Sequence, residues 1–416
     1  MPPGIAPVVH PDGPPTIATG NQFWSFLEQP VTSFGAATDG GYAYIVGGYH
    51  GTPHDYRPEG QSGEFRRMKL ADGAWETLPS VTPLQGLALV AHAGKLCRVG
   101  GMRVFDEAPK LRSLDEVACY DAASGAWRNL APLPAARSSH DAIVVGHTLY
   151  VVGGWQLAGD ARSGRFHDTI ATLDLSRADA QWSALPAPFT RRGLALAATT
   201  TALVAIGGMS SDEEMLRRVD VLDTRRGTWR AAPEFPGEAF GVAAVGVGED
   251  VIAAGRDGGV YRLRPRATAW ERIGDLAFPR MFHRLVVRSA DELLAIGGIR
   301  GMTTAPRTRH IESIALRPTT EARFVALTSQ QGTELAAERT IERYDPARDS
   351  WSVTLDALPI EPRHSRAFAY NGHLAILSTH DAAPEAHLVL VTPPTAIAAS
   401  ASPGPRASAR RARRRP

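Results

Sequence analysis

The chain has 416 residues, 44% of them apolar, enough for a substantial core. Its formal charge of +2 is lopsided: six arginines and no acid sit in the last sixteen residues, while residues 1–400 hold 39 of the 45 bases against all 43 acids, so the body is not a nucleic-acid surface by charge. Two cysteines argue against a secreted disulfide scaffold and fit a reducing compartment, and no run approaches the roughly 18 apolar residues of a membrane span.

Residues 1–20, rich in Pro and Gly, read as a disordered lead, and Met1 to Pro7 has neither the basic nor the apolar region of an export signal. A soluble, cytoplasmic monomer is the expectation. Gln22-Phe23-Trp24-Ser25-Phe26-Leu27 reads as one short strand. From there the text repeats about every fifty residues, each copy marked by a double glycine after an apolar run: Gly47-Gly48, Gly100-Gly101, Gly153-Gly154, Gly207-Gly208 and Gly297-Gly298, with a weaker copy at Ala254-Gly255.

Repeat three shows the unit. Ser139 to Gly146 is a strand and turn, and His147 to Val152 a second strand, apolar on both faces as a buried strand is. A polar loop follows the glycines; Asp168 to Asp174 is a third strand and Gln181 to Leu185 a fourth, closed by Pro186. Four short antiparallel strands per repeat describe a propeller blade, which must stack on its neighbours to cover its two apolar faces. Trp75, Trp127, Trp182, Trp229 and Trp270 each fall in a fourth strand, and Trp351 has the same context after a detour over about residues 300–338, read as an insertion in repeat six with its own hairpin (311–316 and 324–329). Three more strands end the repeats, at 366–372, 373–377 and 388–391, and residues 394–416 read as a disordered Arg-rich tail. The expected fold is all-β: a seven-bladed propeller over residues 21–393, with the Trp24 strand completing the last blade beside 388–391 and so removing an open sheet edge. Eight or six blades are the alternatives.

A Gly-Gly after a buried strand, then a loop, a Tyr-Asp-like pair and a tryptophan, resembles the kelch repeat. The pairs are Tyr120-Asp121, Leu173-Asp174, Leu222-Asp223 and Tyr344-Asp345, and repeats often open with arginine, as at Arg137, Arg191, Arg280 and Arg363. The resemblance implies ligand contacts on one face, from the residues after Gly-Gly and those opening the next repeat. Tyr49, His50, Trp155, Arg137, His140, Arg191, Arg280, His283 and Arg363 are the candidates, forming an Arg/aromatic rim suited to a protein or acidic peptide. The competing reading has these arginines holding the ring together.

Catalytic signals are weak. His50 and His54 with Asp55 lie in a Gly/Pro loop that fixes no metal geometry. Cys97 and Cys119, on the second and third strands of one blade, are expected as buried free thiols. Neither suits a copper oxidase of the galactose oxidase type, and the iron pattern of plant specifier proteins is absent. The expectation is therefore a non-enzymatic recognition module with no cofactor and no metal. The alternative is an enzyme acting on a small anionic sugar, similar to the sialic acid epimerases of this fold, with His140 or His283 moving a proton. The Arg-rich tail is expected to make at most nonspecific contact with nucleic acid.

Overall fold

The computed structural model describes residues 31–50, 56–71, 74–108, 110–159, 164–276, 280–290 and 292–299, and the backbone alone of strands outside them. The chain falls into two compact units, His10–Pro318 and Met1–Val9 with Thr319–Pro416.

In His10–Pro318, five four-stranded antiparallel sheets span residues 35–78, 88–129, 141–186, 195–232 and 243–275, here blades 1 to 5. Blade 6 is Arg284–Ser289, Glu292–Ile296 and His310–Ala315, with Gln22–Phe26 as its fourth strand. The first strands of the six blades neighbour one another in sequence, and blade 6 returns to blade 1. Six apolar clusters fill the six gaps, the one between blades 6 and 1 included, where Val286, Leu294 and Ile296 meet Ala43, Ile45 and Met68.

Strand periodicity produces this arrangement. In Tyr42–Val46, Ala43 and Ile45 face blade 6 while Tyr44 and Val46 face blade 2. A strand covered on both sides must be apolar at every position, as these second strands are. The tryptophans tie the outer edges together. Trp127, Trp182 and Trp270 donate their indole N–H to the carbonyls of Pro79, Ala131 and Pro233 on the preceding blade, each four residues past that blade's own tryptophan. Both glycines of each double-glycine pair have positive φ. At Gly154 (φ +82°) a Cβ would sit 2.5 Å from the Ser138 carbonyl oxygen, so only glycine fits. Its N–H donates to the Arg191 carbonyl at 2.7 Å, joining blade 3 to blade 4; Gly48, Gly101, Gly208 and Gly298 make the same bond to the next blade in turn.

Four expectations need correcting. Within His10–Pro318 the ring closes on six described sheets, not seven. The Trp24 strand pairs with His310–Ala315 (Ser25 opposite Ile311), not with 388–391. Segment 311–316, read as an insertion hairpin, is instead the third strand of blade 6. It was misread because it lacks the Tyr-Asp pair and a nearby tryptophan; its fourth strand comes from the far end of the chain. Finally, Cys97 and Cys119 form a disulfide. They lie directly opposite on adjacent strands with Cα atoms 3.9 Å apart, and both face the gap to blade 3, so their sulfurs meet. The bond withdraws the thiol argument for a reducing compartment.

In the other unit, Ile5–Val8 pairs with Ala383–Val391, followed by His373–His380 and Ser365–Tyr370, and Arg323–Ala326, Ile341–Asp345 and Ser350–Leu355 form a three-stranded sheet. The tail at 394–416 lies outside the described residues.

Candidate binding site at the mouth of the ring

Each blade is entered through the same short frame. An opening residue (Val31, Leu84, Arg137, Arg191, Ala239, Arg280) is followed two positions later by one with positive φ: Ser33, Gly86, Ser139, Gly193, Gly241 and Phe282. The left-handed turn aims these backbones around the ring. Gly86 N–H donates to Ser33, Ser139 to Gly86, Gly193 to Ser139, Gly241 to Gly193 and Phe282 to Gly241, at 2.7–3.3 Å. These five bonds run from blade to blade around the mouth of the central channel.

The opening arginines turn away from that mouth. Arg137, Arg191 and Arg280 are fully buried. Arg137 donates to the carbonyls of Val151, Gly153 and Thr169, Arg191 to the Arg218 carbonyl and the Asp220 carboxylate, and Arg280 to the Gly297 carbonyl. Burial pulls their pKa values down to about 10, 10 and 9, so all three stay charged at neutral pH. They stitch a blade's own strands together and cannot anchor a partner, a correction to the rim read from the sequence.

His140 and His283 hold equivalent places in blades 3 and 6 and are also sealed in. Burial, reinforced by the positive charges of Arg137 and Arg284, holds His140 well below the ordinary histidine range, and burial beside Arg280 and Arg284 pulls His283 down to about 3. Both rings are neutral and out of reach, and neither serves as a proton carrier for a ligand at the mouth.

Of the residues after the opening position, Thr32, Gln85, Ser138, Phe240 and Met281 are buried and only the one in blade 4 keeps part of its surface. This is Arg192, a half-buried side chain one step along from the arginine singled out in the sequence. Its guanidinium carbon lies 4.1 Å from the centre of the Trp155 ring and 5.7 Å from that of Phe240, and one of its nitrogens contacts Met209 Sδ at 3.2 Å. Phe240 in turn meets Phe282 edge-on. Among the described residues Arg192 has no ion pair, and both its Nε and the Trp155 indole nitrogen are buried without a hydrogen-bond partner. Burial lowers the Arg192 pKa, with the Tyr56 and Glu213 charges opposing.

A small cap holds Trp155 in place. Met102–Val104, Leu111–Ser113 and Ala158–Gly159 form a sheet of their own above blades 2 and 3, and Trp155–Gln156 pairs with Arg165–Phe166. Met102, Val104, Leu111, Trp155 and Leu157 make its core, with Tyr56 and Phe166 packed against it. The Gln61 side-chain amide clamps Val104 through both its N–H and its carbonyl, tying the blade 1 loop to the cap.

Of the other sequence candidates, Tyr49 is buried, its hydroxyl accepting from the Arg57 N–H, and His50 is half-buried beside it. Trp155 is buried in the cap, under the Arg192 guanidinium. Arg363, His54 and Asp55 lie outside the described residues. Among the described residues no group of three metal-ligating side chains comes together, and no helix is long and apolar enough to cross a membrane.

No family model matches the chain. It is 27% identical over 255 residues to human Kelch-like protein 34, covering 57% of this chain and 34% of that protein. It is 34% identical over 172 residues to Kelch-like protein 35 of Mus musculus (41% and 26%) and 25% identical over 300 residues to Kelch-like protein terF of Aspergillus terreus (67% and 64%). The chain thus spans about a third or less of the length of the first two. Among solved structures, that of YjhT superposes with a TM-score of 0.56 at 16% identity, over 69% of this chain and 95% of that one.

Proposed function

We propose that this kelch-repeat chain is a recognition module that binds a carboxylate-bearing segment of a partner protein at the mouth of the ring. The observation that carries the reading is the Arg192 guanidinium stacked on the Trp155 ring with no ion pair among the described residues, its Nε and the indole N–H both lacking an acceptor. A planar guanidinium without an ion pair is suited to a carboxylate. Trp155 and Phe240, both buried, hold the guanidinium between their rings, and the cap keeps Trp155 in place without a partner, which lowers the ordering cost of binding. The Kelch-like names of the relatives point the same way.

A sugar carboxylate would suit the same guanidinium. The enzymatic reading, however, also needs a proton carrier at the mouth, and the histidines it relied on are sealed beneath. Binding without chemistry is therefore preferred.

The test is fluorescence polarisation with acidic peptides selected from a display library on the intact chain. Arg192→Gln is expected to weaken a selected peptide by about tenfold or more, the loss of a charge-assisted contact, and Trp155→Ala by a similar factor. Selected peptides that bind both variants as tightly as the parent chain would sink the reading.

A further inference from the structure

The repeats act as controls for one another, and blades 4 and 5 break the pattern along the outer gap between them. Three residues after the fourth-strand tryptophan stand Leu78, Leu130, Leu185 and Ile273 in blades 1, 2, 3 and 5, but Ala232 in blade 4. Leu78, Leu130 and Ile273 pack into the gap to the next blade. Ala232 has the same place with three carbons fewer, and beside it opens a cleft of about 380 Å³ between blades 4 and 5, floored by Val204, Val221, Val251 and Leu263.

The turns around this cleft also depart from the others. Before its tryptophan, blade 2 has Ala122-Ala123-Ser124-Gly125, whereas blade 4 has Thr224-Arg225-Arg226-Gly227 and blade 5 has Arg264-Pro265-Arg266-Ala267. Arg226, Arg230, Arg264 and Arg266 all line the cleft. Asp223 and Glu271 neutralise Arg226 and Arg264, while Arg230 and Arg266 have no ion pair among the described residues. Arg266 is held at φ +61°, a region costly for a side-chain-bearing residue. One substitution thus empties an apolar space, and neighbouring ones bring four arginines to a lining that holds two carboxylates, Asp223 and Glu249.

We propose that this cleft is a second binding site, for an organic anion with an apolar body: an aromatic or branched aliphatic group bearing a single carboxylate, phosphate or sulfonate. The valine and leucine floor takes the apolar part, and Arg230 and Arg266 take the charge. The site lies in the outer gap between blades 4 and 5 and shares no residue with the mouth, so it stands or falls independently of the recognition reading.

The probe is 8-anilinonaphthalene-1-sulfonate, titrated into the intact chain by fluorescence, with the uncharged N-phenyl-1-naphthylamine as control. Saturable binding of the anion with little binding of the neutral analogue is expected. Ala232→Leu, which restores the residue of the sister blades, and the exposed pair Arg230→Glu with Arg266→Glu are each expected to weaken binding at least about tenfold. Melting curves exclude misfolding, and the arginine pair keeps the test valid should Ala232→Leu fail to fold. Equal binding of charged and neutral probes, or anion binding unchanged in the folded variants, overturns the proposal. Phenyl phosphate and a phosphotyrosine peptide then compete for the probe. Displacement by the free compound alone assigns the site to small molecules, displacement by the peptide assigns it to a protein-borne group, and displacement by neither also overturns it.

Discussion

Arg284 of blade 6 reaches across the centre of the ring to Asp141 of blade 3, the blade opposite, and the two meet at 3.1 Å although 143 residues apart in sequence. The guanidinium also donates to the carbonyls of Phe34 and Leu87, and the Asp141 carboxylate accepts from the Leu196 and Ala142 amides. Four of the other five blades contribute to this knot of polar groups. Apart from Thr38, the rest of the channel lining is apolar, so the pair closes a greasy tube of about 220 Å³ at its mouth end.

Breaking this pair from one side leaves a charge in a site with few alternatives. Arg284→Leu and Asp141→Ala are each expected to lower unfolding stability in urea by about 3 kcal/mol, near the low end for a buried pair because Arg284 keeps some solvent contact. The double variant is expected to lose less than the sum of the two, giving a coupling of at least about 1 kcal/mol. Strict additivity would mean that the contact is incidental.

His283 makes stability depend on acid. Its pKa is about 3 in the folded chain against an ordinary 6.5, so below pH 6.5 the unfolded chain binds a proton that the folded one refuses. Its contribution is complete above pH 6.5 and drains away as pH falls toward 3, at about 1.4 kcal/mol per pH unit. His140 acts in the same direction. The same position holds Leu87 in blade 2 and Leu194 in blade 4. His283→Leu is therefore expected to flatten the stability profile between pH 6 and 4 by about one proton's slope, measured by denaturant midpoints across that range. An unchanged slope would mean that His283 titrates normally.

How far all this was legible follows from the kind of constraint involved. The double glycines were readable because positive φ and the close approach of the next blade leave no other residue at Gly154. The tryptophans were readable because each fills the same outer gap. Ring size was not, since it depends on which sheet edge Gln22–Phe26 joins, and a linear period carries no information on that. The mouth was half legible. Arg191 and Arg192 are neighbours in the text, but the backbone sends the first onto carbonyls inside the blade and leaves the second stacked on Trp155. Trp155 was singled out because it stands apart from the fourth-strand tryptophans. The Cys97–Cys119 bond was hidden by the usual rarity of disulfides in a chain with so few cysteines, although cross-strand register was the available clue.

The disulfide closes a loop over a sequence separation of 22 residues. Cross-linking a loop of that size restricts the unfolded chain by an amount worth about 3 kcal/mol. The Cys97→Ser, Cys119→Ser chain is expected to lose stability of that order, and the parent chain to yield no free thiol when denatured under non-reducing conditions. Two titratable thiols in that assay would return the pair to the free state expected from composition.

The assignment of Arg280 to structure and Arg192 to binding can be tested in one comparison. Arg280 is fully buried and bonded to the Gly297 carbonyl, beside the double glycine that hydrogen-bonds blade 6 to Val31 of blade 1. Arg280→Met keeps much of the side-chain volume but strands that carbonyl, so it is expected to lower the urea midpoint by the equivalent of about 2–3 kcal/mol. Arg192→Met removes a cation without an ion pair that sits between aromatic rings, so it is expected to shift stability by less than about 1 kcal/mol while abolishing most peptide affinity. The two variants thus separate along different axes, one on the denaturation curve and the other on the binding isotherm. If both fell on the same axis, Arg192 would be one more stitch in the ring and the mouth would have no charge of its own to offer a partner.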